Sequence, residues 1–124
     1  MEALSPLLYS GLGCIIYALI KVDGRIQSEE SLNARLILLD QGPLGVQAVH
    51  SFQLCEHYRK SVDEAYRSAM NYFVSHKKEL NHEVKQYFIG VMKKIVKSDN
   101  RVTKEEIEFL KKFREDLHNI SANK

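Results

Sequence analysis

The chain has 124 residues, 44% of them hydrophobic and 27% charged. That length fits one ordinary domain able to bury roughly two thirds of its unfolded surface without a metal or disulfide, and the composition excludes disordered and collagen-like classes. Eighteen Lys and Arg against sixteen Asp and Glu leave a formal charge of +2, too near neutral to give a nucleic-acid or membrane-surface footprint.

In chain order, the first expected element is a helix over about residues 4–21. Its apolar run, Leu7 to Ile20, fails as a signal peptide or anchor: Glu2 but no Lys or Arg precedes it, and no A-x-A-like site follows. Its 14 residues also fall short of the roughly 20 that a spanning helix needs. Apolar on nearly every side from Leu12 to Ile20, it is expected to be a central helix surrounded by the others. A second helix over about 28–39 ends at the stop and turn Asp40, Gln41, Gly42 and Pro43. A third, over about 44–58, carries a ragged stripe of Val46, Val49, Phe52 and Leu54 with Gly45 inside it. Val62, Ala65, Tyr66, Ala69, Met70 and Phe73 then share one helix face. The clearest periodicity follows in Val84, Tyr87, Phe88, Val91, Met92, Ile95 and Val96, and a thinner stripe of Ile107, Leu110, Phe113 and Leu117 comes after Thr103. Prolines occur only at 6 and 43, and from Leu44 onward glycines occur only at 45 and 90, so the punctuation of many short strands is missing. The expected fold is all-α, a single domain over 1–124 forming a compact bundle of five to seven helices.

The segment Asp23-Gly24-Arg25-Ile26-Gln27-Ser28-Glu29-Glu30 returns 76 residues later as Asp99-Asn100-Arg101-Val102-Thr103-Lys104-Glu105-Glu106. At the same offset Leu8, Leu12, Ile15, Ile16, Leu19 and Ile20 match Val84, Phe88, Val91, Met92, Ile95 and Val96, while Gly11 opposite Tyr87 breaks the series. Two helical hairpins, about 4–40 and 82–118, thus bracket middle helices at about 44–78. Gly24 and Asn100 suit the left-handed conformation that ends a helix. Ile26 and Val102 are expected to drop into the core, and Thr103 with Glu106 forms a capping box, of which Gln27 and Glu30 are a weaker version. Aligned on an EF-hand loop, Asp23, Gly24, Ile26 and Glu30 take positions five, six, eight and twelve, but positions one and three would be Leu19 and Lys21, or Ile95 and Lys97 in the second copy. Neither turn is a complete calcium loop, so a cation site requires both turns to pool their carboxylates.

The doubled motif, a helix followed by D-G/N-R-I/V-x-x-E-E and a second helix, resembles the TerB family of tellurite-resistance-associated proteins, which also resembles the N-terminal domain of the membrane-anchored DnaJ-like co-chaperone. The likeness covers roughly residues 8–40 and 83–114, with Asn100 where glycine is usual. It implies an internal pseudo-twofold repeat of the hairpins and paired acidic turns that bind a divalent cation or a partner protein. Carried onto this sequence, it makes Asp23, Glu30, Asp99 and Glu106 candidate metal ligands, with Glu29 and Glu105 candidate partner-binding residues. Calcium is the first cation to consider and magnesium the second, since carboxylate oxygens and a flexible geometry suit calcium.

Other constellations are sparse. His50, His57, His76, His82 and His118 form no i, i+4 pair and no H-E-x-x-H motif. Cys14 and Cys55 have apolar neighbours and neither metal-ligand nor CxxC spacing, which points to a reduced, cytoplasmic protein. Lys93, Lys94, Lys97, Lys104, Lys111, Lys112 and Arg114 are interleaved with acids, as on a solvated face with i, i+4 pairs such as Glu108 and Lys112, so no nucleic-acid partner is expected. Three readings stay open: a non-enzymatic stress-response or accessory protein whose acidic turns bind a cation or partner, an adaptor with structural turns and its binding surface in the middle segment, and a metal-dependent hydrolase.

Overall fold

The computed structural model describes residues 4–24, 26–98 and 102–120. Six helices occupy them and no strand does: α1 (Pro6–Lys21), α2 (Ser28–Leu39), α3 (Gly45–His57), α4 (Val62–Ser75), α5 (His82–Ser98) and α6 (Lys104–His118). Among the described residues no helix is long and apolar enough to cross a membrane.

Helix α1 starts where Ser5 accepts a hydrogen bond from the Leu7 amide and Pro6 presets the first turn. Every residue from Leu8 to Ile20 is buried, and α1 packs against all five other helices. A helix buried on all sides needs close neighbours, and small residues supply them. A Cβ on Gly13 would lie 2.1 Å from the Ala48 carbonyl oxygen, and one on Gly45 would lie 2.4 Å from that of Leu38. The buried face of α3 is therefore Gly45, Ala48, Ser51, Phe52 and Cys55. Val46 and Leu54 of the expected stripe are exposed instead. Hydrophobicity misplaces this face because close backbone approach selects for small size there, not for apolar bulk.

Helices α4 and α5 bury the faces that their periodicity predicts, with Phe73 and Phe88 fully buried and their ring centroids 5.8 Å apart. The α6 stripe is rotated: Ile107 is exposed, and the buried face is Glu106, Phe109, Phe113 and Leu117. Tyr66 of α4 packs edge-on against Phe109 and Phe113, and its hydroxyl donates to the Asp116 carboxylate. Burial, and then that bond, push the Tyr66 phenol above its ordinary range. Lys112 lies 4.2 Å from the centroid of the Tyr66 ring, so it is not paired with Glu108 as expected. Glu108 meets Lys104 at 4.0 Å in an exposed i, i+4 contact worth little.

Chain reversals use specific backbone states. Gly24 sits at φ 132°, its amide donating to the Lys21 carbonyl at 3.0 Å, so the first acidic turn has the positive φ expected of it. Of the equivalent apolar residues in the two turns, Ile26 packs against the core but Val102 is half exposed, contrary to the expectation for the second turn. Helix α3 ends in a Schellman arrangement: the Lys60 amide reaches the Cys55 carbonyl and the Arg59 amide the Glu56 carbonyl, both at 3.1 Å. Arg59 holds the left-handed position at φ 51°, where glycine is usual. The Lys60 carbonyl is fixed in turn by the Tyr17 hydroxyl at 2.7 Å and the Lys21 ammonium at 3.0 Å.

Two stability predictions follow from this packing. Gly13→Ala should lower unfolding free energy by about 3 kcal/mol or more, because the clash is with backbone, while Gly90→Ala on α5, with open space around it, should raise it by about 0.5–1 kcal/mol in urea titrations. Arg59→Gly should stabilise by about 1 kcal/mol by removing left-handed strain, measurable as a higher denaturation midpoint.

Candidate functional site

Of the carboxylates in the two acidic turns, Asp23, Glu29, Glu30, Glu105 and Glu106 lie within the described residues. Asp23 is exposed at the end of α1, and Glu29 is exposed in the first turn of α2. Glu30 is half-buried, and its Oε1 accepts from the Gln27 amide at 2.9 Å. In the second copy, Glu105 is exposed while Glu106 is buried at 2% exposure. Glu106 Oε1 accepts from the Thr103 amide at 2.9 Å and the Thr103 hydroxyl at 3.2 Å, and Thr103 Oγ1 accepts from the Glu106 amide at 3.1 Å. Asp99, with Asn100 and Arg101, lies outside the described residues, as does Arg25, so the pooling of Asp23 with Asp99 is not addressed by the geometry.

These bonds follow from helix electrostatics. The first amides of a helix have no intrahelical acceptor, and a carboxylate at the third helical position reaches back to the cap amide while adding negative charge at the positive end of the dipole. The same device starts α4, where Ser61 Oγ accepts from Glu64 N at 3.0 Å and Glu64 Oε1 accepts from Ser61 N at 2.9 Å. The Ser61 amide and hydroxyl hold the Glu64 carboxyl below its usual range. The Ser61–Glu64 cap forms without a D-G-R motif beside it. Among the described residues no group of three or more His, Cys, Asp or Glu side chains is arranged to hold a metal ion.

Two further features stand apart from the turns. On α2 the buried side chains are Ser31, Ala34 and Leu38, while Leu32, Leu36 and Leu39 are 48%, 55% and 47% exposed at i, i+4, i+7 spacing. Leu36 and Leu39, with Ile37, Asp40 and Lys94 of α5, line a groove of about 330 Å³. The sequence offered a signal for this face in the excess of leucines on α2, which is more than one buried stripe uses. The second feature is the meeting of Cys14 on α1 with Cys55 on α3: both are buried free thiols and their sulfurs are 3.7 Å apart. They line a cavity of about 440 Å³ among α1, α3 and α4 that also reaches Lys60 and His76. Sequence spacing gave no hint of this pair, since 41 residues separate its members. His50 and His57 of α3 are both exposed, and His57 packs edge-on to Tyr58.

Comparison with protein-family models, with curated proteins and with solved structures finds no match. The chain is an all-α helical bundle, and its functional reading rests on its own residues.

Capping predicts unequal sensitivities within the turns. Thr103→Ala should cost about 1 kcal/mol of stability, whereas Glu29→Gln, at an exposed side chain, should stay within about 0.5 kcal/mol of wild type. Equal losses in urea titrations would contradict this division.

Proposed function

We propose that the protein is a non-enzymatic accessory protein that binds a partner protein through the apolar outer face of α2, with its acidic turns serving to start helices. The observation that carries this reading is the row Leu32, Leu36 and Leu39, each about half exposed on one face and running into a groove. A helix normally turns such a stripe inward; one left facing water beside a groove suits an amphipathic segment of another protein. Asp40 and Lys94 at the groove margin supply one charge of each sign to orient that segment. The surface lies on α2, ahead of the middle segment at 44–78.

Glu30 and Glu106 support the structural role of the turns, because each has an oxygen engaged by the amide that begins its helix. The TerB-like assignment, with two related hairpins, a cytoplasmic location and a stress-response role, belongs to this proposal and is supported by the recurrence of the acidic turn and its flanking helix pattern. A second reading, in which the turns also bind calcium or magnesium, draws support from the exposure of Asp23 and Glu29, whose carboxylates face solvent.

One set of proteins tests both readings. A photo-crosslinking residue at Leu36 should trap a discrete protein in cells, the purified partner should bind wild type, and Leu36→Glu should weaken that binding at least about tenfold with the fold intact. Unchanged affinity in Leu36→Glu would overturn the α2 reading. Asp23→Asn should leave partner binding unaltered. For the cation reading, calcium at about 100 times its dissociation constant should add about 2.7 kcal/mol to the stability of chelator-treated protein, an effect lost in Asp23→Asn combined with Asp99→Asn.

A further inference from the structure

The close packing of α1 on α3 brings Cys14 and Cys55 together. The two residues are 3% and 1% exposed, and both line the cavity among α1, α3 and α4. The neighbouring hydroxyls set the direction of the protons. Ser51 Oγ donates to the Ser10 carbonyl at 2.7 Å, so in the neutral state its contact with Cys14, at 3.1 Å, is one in which the Cys14 thiol donates. Cys55 donates to the Cys14 sulfur at 3.7 Å. The bonds therefore run one way, from Cys55 to Cys14 to Ser51 to the Ser10 carbonyl. Cys14 accepts a hydrogen bond from its partner thiol, and that bond favours ionisation at Cys14.

From this juxtaposition of two thiols at a cavity wall we propose that Cys14 and Cys55 form an oxidisable dithiol whose oxidant is a small hydroperoxide entering the cavity. The Cys14 thiolate attacks one peroxide oxygen, the O–O bond breaks, and the leaving hydroxide (or alkoxide) takes up a proton. Sulfur loses two electrons, the peroxide gains them, and Cys14 becomes a sulfenic acid. Cys55 then attacks the Cys14 sulfur, the S–O bond breaks, and hydroxide leaves with the Cys55 proton as water. The product is a disulfide linking α1 to α3, and the sum is two thiols and hydrogen peroxide giving a disulfide and two waters.

Two features assign Cys14 the first step. The Cys55 thiol hydrogen bond lowers the Cys14 thiol below its ordinary range against the opposing effect of burial, and Ser51 and the positive charge of Lys60 act in the same direction. The same bond and burial push Cys55 upward, keeping it protonated as the resolving thiol. Exchange with a dithiol, which itself becomes a disulfide, returns Cys14 and Cys55 to thiols, as suits a modification in a reducing compartment.

The test uses the full chain, reduced and then exposed to hydrogen peroxide at neutral pH, with alkylation after unfolding and peptide mass mapping. The expected product is one intramolecular Cys14–Cys55 disulfide, reversed by dithiothreitol. In Cys55→Ala the reaction should stop at a sulfenic acid on Cys14 that dimedone traps, and in Cys14→Ala oxidation of Cys55 should be at least about tenfold slower. Because changes at buried cysteines can perturb folding, a third variant leaves both thiols in place: Ser75→Trp, at an exposed residue of the cavity wall, should slow disulfide formation about tenfold by blocking entry. The proposal fails if both thiols stay fully alkylatable under oxidant that converts the unfolded chain. It also fails if only intermolecular disulfides form, if dimedone marks Cys55 in preference to Cys14, or if Ser75→Trp leaves the rate unchanged.

Discussion

The close approach of α1 to α3 is the contact on which the rest of the architecture depends. An apolar helix in the middle of a small bundle must be covered on every side, and with only five neighbours it cannot be covered at a distance. Gly13 lets the α3 backbone come within van der Waals reach, to the point that a single methyl group there would collide with the Ala48 carbonyl. That approach carries a polar consequence, because Ser10 and Ser51 lie in the seam and their groups must be paired once water is excluded. They are: Gln47 donates to the Ser10 hydroxyl at 2.9 Å, and Ser51 donates to the Ser10 carbonyl. No buried side-chain polar atom among the described residues lacks a partner.

The same seam explains why the thiols meet. Cys14 follows Gly13 directly on α1, and Cys55 is one helical turn beyond Ser51 on α3, so the approach that glycine permits carries sulfur toward sulfur. What brings them together is a packing rule that acts on their neighbours, and for that reason the pair was invisible in the spacing of cysteines along the chain. Helix identity was far more legible. Where side chains were large and apolar, as on α4 and α5, a period of 3.6 residues named the buried face correctly, and the uniform hydrophobicity of α1 announced its central position. The reading failed where another force chose the face. On α3 small residues turn inward and valine outward, and on α6 the capping residue Glu106 is buried while Ile107 faces solvent. The surplus of leucine on α2 was present in the sequence, but only the position of α3 and α5 shows which leucines are left uncovered.

The two acidic turns show how one sequence motif can settle into unlike surroundings. Glu30 and Glu106 occupy the same helical position and accept from the same kind of amide, yet one is half-buried and the other almost wholly enclosed. Burial raises the cost of leaving a carboxylate unsatisfied, so the second copy is bound more tightly to its local role than the first. Freedom to engage a solvent cation therefore rests with the exposed acids, Asp23 and Glu29, more than with the two glutamates that the motif makes most prominent.

Closing a disulfide requires the sulfurs to move from 3.7 Å to about 2.05 Å, and the fold determines which side yields. Helix α1 is gripped by five neighbours and cannot shift without disturbing all of them. Cys55 lies in the last turn of α3, its carbonyl held by the Lys60 amide in a termination that relies on an arginine in a left-handed conformation. A terminal turn closed by a strained residue adjusts more readily than the middle of a buried helix. The next residue, Glu56, accepts a hydrogen bond from Ser31 of α2 at 2.6 Å, so the turn that adjusts is joined directly to the helix bearing the exposed leucines. The proposed oxidation at the cavity and the outer face of α2 thus share one short segment of α3, from Cys55 to Glu56.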